Sequence, residues 1–235
     1  MEIQLELPVP RQPDPVSCGP TCLQAIYRYY GDDQSLDSLG REVEMLESGG
    51  TLAVLLACHA LARGYRATLY SYNLRVFDPT WFALDRQRLR ERLVAEREVR
   101  EDERLASTIG AYVRFLDLGG EARFDELSGR LLRRLLDSER PILTGLSATY
   151  LYRDVRERPS DHQDDDLRGE PVGHFVVLSG YDRTTRRFLV SDPYHPNPLG
   201  SGGTYEVGLD RLLGAIFLGT LTWDGNLLVL APRGG

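Results

Sequence analysis

Three residues far apart in this chain have types and settings suited to nucleophilic catalysis. Cys18 lies in the stretch Gln12-Pro13-Asp14-Pro15-Val16-Ser17-Cys18-Gly19-Pro20-Thr21-Cys22-Leu23. From Thr21 onward Cys22, Leu23, Ile26, Tyr27 and Tyr30 share one helical face and Gly31 ends the run, whereas the prolines upstream keep the chain extended. The sulfur therefore belongs to a first helical turn, where unpaired N–H groups and the helix dipole favour a negative charge and hence a thiolate. Gly19 permits close backbone approach, and Pro20 is tolerated where no N–H needs a partner.

A thiol nucleophile needs a base, and the base needs an orienter. The histidines are His59, His162, His174 and His195. His174 opens the apolar run Gly173-His174-Phe175-Val176-Val177-Leu178, a buried strand that enters a turn at Asp182. A second strand, Arg187 to Asp192, follows and is broken by Pro193. Antiparallel pairing around the turn sets the start of the first strand beside the end of the second, which brings His174 to Asp192. A carboxylate there fixes the imidazole tautomer and steadies the imidazolium.

Gln12, then Cys-Gly-Pro-Thr-Cys-Leu, then Gly-His-Phe-Val-Val-Leu, then Val-Ser-Asp-Pro occur in this order. Together they resemble the bacteriocin-processing peptidases, papain-like cysteine proteases that cut after a double-glycine leader. The matching blocks cover roughly residues 8–70 and 170–195. The resemblance implies an α+β, papain-like fold, with an N-terminal helical half whose nucleophile helix packs on a C-terminal antiparallel sheet. It also implies Cys18 as nucleophile, His174 as general base and acid, Asp192 as orienter, and Gln12 with the Cys18 backbone N–H as oxyanion donors. The implied activity is hydrolysis of a peptide or amide bond through a thioester, on a peptide or protein substrate, without cofactor or metal. Members of this group usually form the N-terminal domain of an export ATPase. Nothing here reads as a membrane span or a nucleotide-binding domain, so the chain looks like the stand-alone, leader-peptidase-like bacterial proteins. Two other functions use the same residues: acyl transfer, with an amine intercepting the thioester, and a non-catalytic peptide-binding module on this fold.

Composition narrows the setting. The chain has 235 residues, 28 basic against 35 acidic, and a formal charge of −7, which argues against non-specific binding to nucleic acid or anionic lipid. All the basic residues are arginine. Three cysteines form no even framework and suggest a reducing compartment; with no signal peptide at Met1-Glu2-Ile3-Gln4 and no apolar run of spanning length, a cytoplasmic protein is expected.

The remaining elements must carry these residues. Residues 2–9 alternate as an edge strand stopped by Pro8 and Pro10. A second helix spans Asp32 to Leu46, Ser48 to Thr51 form a turn and cap, a third helix runs to about Arg63, and Tyr65 to Tyr72 read as a strand. One domain over 1–235 is expected, with an insertion at about 74–120. Asp85 to Leu105, rich in Arg, Glu and Asp, reads as a solvated amphipathic helix; the sharper reading is a cap over the substrate groove or a homodimer contact. Ile109 to Leu118 fits a strand or a helix, Phe124 to Ser138 a helix, and Pro141 to Leu146 a buried strand. Residues 152–171, polar and acidic with His162, form a long loop read as a flap; their ligand spacing is too irregular for a metal site. Thr204 to Val207 and Leu227 to Leu230 are strands, and Leu209 to Ala215 is a helix. Cys22, Cys58 and His59 read as core or near-core residues. His195 is a rival base ranked below His174, and Asn197 and Asp182 are fallback orienters. The terminal Arg233-Gly234-Gly235 reads as a fraying tail.

Overall fold

The apolar run that begins at Gly173 forms β5 (Gly173–Asp182), buried along nearly its whole length. β6 (Arg187–Ser191) returns antiparallel to it, with Asp182 opposite Arg187 and Val177 opposite Ser191, across a bulge between Leu178 and Gly180. The expected hairpin is therefore present. The structure, a computed structural model, describes residues 2–46 and 49–233. Ser48 of the expected turn and Gly234 and Gly235 of the expected tail lie outside the described residues.

The other strands are β1 (Ile3–Gln4), β2 (Tyr65–Ser71), β3 (Glu121–Arg123), β4 (Ile142–Ser147), β7 (Thr204–Gly208) and β8 (Asn226–Pro232). They form one eight-stranded sheet in the order β3-β2-β8-β4-β5-β6-β7, with β1 paired to the far end of β5. All the pairings are antiparallel except β2 with β3.

Alternation along β5 splits the core in two. Phe175 and Val177 face a cluster built with α1 (Cys18–Tyr29), α3 (Ala53–Ala62), α4 (Arg86–Val99) and α5 (Glu103–Asp117). Val176 and Leu178 face a second cluster with α6 (Gly129–Asp137), α7 (Ala148–Tyr152) and α8 (Leu209–Leu218). The fold is thus mixed α+β, with the Cys18 helix on one face of a largely antiparallel sheet.

Several boundaries differ from the sequence reading. The first strand shrinks to Ile3–Gln4, because β5 offers ladder partners only at Tyr181 and Gly180, although the Leu5 N–H still donates to the Ser179 carbonyl at 2.7 Å. α2 is only Leu36–Glu42: the Ser35 side chain caps its start, and Asp32 is drawn off to Arg63 at 3.0 Å. The charged stretch from Asp85 to Leu105 is interrupted, because Asp85 caps α4 and Asp102 caps the separate helix α5, which settles Ile109 to Leu118 as helical. The helix expected from Phe124 starts at Gly129 behind a Ser128 cap, while Phe124 stacks on Phe82 with ring centroids 5.3 Å apart. β3 and α7 were not foreseen; α7 ends in Tyr152, so the polar loop begins one residue later than expected.

Candidate active site

The loop before α1 is organised by Asp14. Its carboxylate accepts from the Val16 N–H at 2.9 Å and from the Ser17 hydroxyl at 2.7 Å, a local turn that delivers the chain into the helix. Ser17 occupies the N-cap position but makes no side-chain cap bond, its hydroxyl being spent on Asp14. The first-turn N–H groups at Cys18 and Gly19 thus receive no cap from that side chain. α1 then lies against β5: the Cys22 thiol, fully buried, donates to the Phe175 carbonyl at 3.3 Å. Burial pushes the Cys22 thiol up, as a core residue requires.

This packing sets Cys18 beside the His174 ring, near enough for its side chain to help raise the imidazole pKa. His174 Nε2 is 2.8 Å from Asp192 Oδ1. With Nε2–H donated to the carboxylate, a neutral ring keeps Nδ1 as the acceptor for a thiol proton. Cys18 and His174 are largely buried, at 8% and 7% exposure, and Asp192 is fully buried.

Asp192 carries the densest hydrogen bonding in the region. Oδ1 also accepts from the Tyr194 N–H at 2.9 Å, and Oδ2 accepts from the Tyr152 hydroxyl at 2.6 Å and the Tyr205 hydroxyl at 2.5 Å. Burial opposes ionisation of this carboxyl, but the His174 charge and the His174, Tyr152 and Tyr205 hydrogen bonds prevail and hold it below the ordinary carboxylate range. For His174, burial opposes the charged ring; the Asp192 charge and hydrogen bond, with Cys18, outweigh it and raise the imidazole well above its usual value. The Tyr194 ring stands edge-on to His174, with centroids 6.2 Å apart.

Gln12 is brought alongside. Its backbone N–H donates to the Pro193 carbonyl at 2.9 Å, tying the Cys18 loop to the end of the Asp192 strand. One Nε2 hydrogen goes to the Asp14 carbonyl at 2.7 Å, and Oε1 is buried without a partner.

The rival residues lie elsewhere. His195 packs against Gly203, and its Nε2 is buried with no partner. Asn197 bonds the Tyr194 carbonyl, and Asp182 holds the Thr185 N–H in the β5–β6 turn. His59 is a buried link between the Tyr27 hydroxyl at 2.8 Å and Glu42 at 3.0 Å. His162 lies 3.7 Å from Glu157 in a loop whose acids pair with Arg158 and Arg168. Among the described residues no group of three or more His, Cys, Asp or Glu is placed to hold a metal ion, and no helix is long and apolar enough to cross a membrane. Cys18, Cys22 and Cys58 are all free thiols. The sequence reading did not include Tyr152, Tyr194 and Tyr205. The inward parity of Tyr205 along β7 is the one signal that pointed to it.

The model of the Peptidase_C39-like family matches residues 111–207, a span that contains His174, Asp192 and all four donors to Asp192 but not Cys18 or Gln12. No curated protein matches the sequence. Among solved structures, a chain from Bacillus anthracis classed as a C39-like peptidase superposes with a TM-score of 0.51 at 14% identity, over 99% of this chain and 98% of that one. A double glycine motif protease from an AMS/PCAT transporter, solved with its leader peptide, gives 0.46 at 14% identity over 99% and 96%. The peptidase domain of Streptococcus ComA, a bi-functional ABC transporter of a quorum sensing pathway, gives 0.45 at 14% over 97% and 100%. The chain therefore has the papain-like fold of the C39 peptidases, and its residues 111–207 carry the sequence signature of the C39-like peptidase family.

Proposed function

We propose that the protein is a cysteine peptidase or amidase that works through Cys18, His174 and Asp192. The observation that carries this reading is one imidazole held between a carboxylate at 2.8 Å on Nε2 and the Cys18 side chain of a helix N-terminus. Cys18 passes its proton to His174 and attacks the carbonyl carbon of the scissile amide. The oxyanion is met by the Cys18 backbone N–H and by the Gln12 Nε2 hydrogen not used on Asp14. His174 returns the proton to the leaving amine, and water, deprotonated by the same ring, hydrolyses the thioester. Asp192 keeps the ring in its working tautomer and balances the imidazolium.

The substrate is a peptide or protein segment whose scissile amide must reach the largely buried Cys18 and His174. Cys18→Ala tests the mechanism. The variant should lose turnover of a peptide library by at least ~10³-fold while keeping the circular dichroism spectrum and melting temperature of the parent. Turnover unchanged in the folded variant would remove Cys18 as nucleophile.

A further inference from the structure

Two phenols converge on the oxygen of Asp192 that does not face His174. Tyr152 reaches it from the last residue of α7 and Tyr205 from the second residue of β7, at 2.6 and 2.5 Å. Neither element belongs to the hairpin that pairs His174 with Asp192. Both tyrosines are buried, at 8% and 7% exposure. Burial, with the neighbouring carboxylate, pushes both phenols far above the ordinary tyrosine range, so each stays protonated. A phenol has one hydrogen to donate. Two phenols can both donate to Oδ2 only when that oxygen carries no proton, while Oδ1 is already filled by the His174 Nε2–H and the Tyr194 N–H. With His174 Nε2 carrying a hydrogen, two N–H groups and two phenols fill the acceptor sites of this carboxyl group, an arrangement that matches the ionised form.

We propose that Tyr152 and Tyr205 are positioning residues that keep Asp192 ionised inside a dry site, and so set the lowest pH at which the Cys18–His174 pair can work. A lone carboxylate with no exposed surface would take up a proton readily, since burial disfavours its charge. His174 would then lose both the counter-charge that holds its imidazolium and the acceptor that fixes its tautomer. The phenols prevent this through their hydrogen bonds to the carboxylate, and the Tyr152 ring also stands beside the His174 ring, with centroids 6.2 Å apart. The kinetic consequence rests on the peptidase reading; the state of the carboxyl group does not.

The test uses the full chain labelled with ¹³C at the aspartate carboxyl carbon, titrated by NMR, with the Asp192 signal identified by its loss in Asp192→Asn. In the parent, the Asp192 signal should stay at the ionised position from about pH 4 to 8. In the Tyr152→Phe/Tyr205→Phe double variant it should titrate within that window, and each single variant should raise the midpoint by ~0.5–1 pH unit. With a cleaved peptide in hand, the acid limb of kcat/KM should move up by the same amount, whereas a merely structural role would lower the whole profile without moving the limb. If the double variant does not fold, the single variants carry the same comparison. An Asp192 midpoint, followed below pH 4 where needed, that does not rise in the folded variants overturns the proposal, and it does so whether or not Cys18 proves to be a nucleophile.

Discussion

The Asp224 carboxyl group is buried facing the start of α3, a helix whose own N-cap residue, Leu52, supplies no side-chain bond. Its Oδ1 is buried without a partner. Burial dominates and pushes this carboxyl up to about 7, against the Ala53 and Asn226 hydrogen bonds and the Arg104 charge. A folded-state value above the unfolded one means that the native protein holds the proton more tightly. Stability is therefore fullest below pH ~4, the unfolded value, and is lost as pH rises toward 7, by an amount on the order of 4 kcal/mol at full ionisation. Asp224→Asn keeps the shape of the side chain and removes the ionisable group. It should raise the melting temperature at pH 8 and leave it nearly unchanged at pH 4; equal effects at both values would rule this out. Sequence reading passed over Asp224, since Trp-Asp-Gly looks like any exposed turn and only the β4 and α3 neighbours bury it. Cys22 was legible, because an i, i+4 position on an apolar helical face fixes its direction whatever the tertiary context.

At the level of elements, the approach of α1 to its neighbours is set by Gly19. A Cβ there would lie 2.7 Å from Thr51 Cγ2 and 3.2 Å from Phe175 Cδ2. Thr51 cannot swing aside easily, because its hydroxyl donates to the Glu44 carbonyl at 2.8 Å. Gly19→Ala should push the first turn of α1 away from β5, costing ~1–3 kcal/mol in urea unfolding and lowering turnover more than a remote change of equal cost. Wild-type turnover in a destabilised Gly19→Ala protein would show that the Cys18 position does not depend on this contact. The hairpin and the Cys18 helix were both readable because each rests on local periodicity and turn chemistry. The break between α4 and α5 was not, because two capping aspartates, Asp85 and Asp102, lie in a stretch already full of charge.

Across the whole molecule, one sheet serves both hydrophobic cores. β4, β5 and β8 contribute Leu143, Phe175 and Leu228 to one, and Ile142, Val176 and Leu227 to the other. Neither helical layer can leave without exposing strands the other needs, so unfolding should be a single transition. Far-ultraviolet circular dichroism and tryptophan fluorescence should give coincident urea curves; Trp223 belongs to the α1 side, so a fluorescence midpoint below the dichroism midpoint would reveal independent loss of that layer.

The sequence by itself determined the helix that carries Cys18, the hairpin that joins His174 to Asp192, and with them the chemistry to be expected. These depend on periods of 3.6 and 2 and on turns a few residues long, which a chain encodes locally. Tertiary structure alone decided that Cys18 meets that ring, that Tyr152 and Tyr205 close around the far oxygen of Asp192, and that Asp224 is shut away from water. Those outcomes follow from strand order, because neighbours in the sheet such as β8 and β4 are distant in sequence, and no local pattern states which pairing buries the most apolar surface.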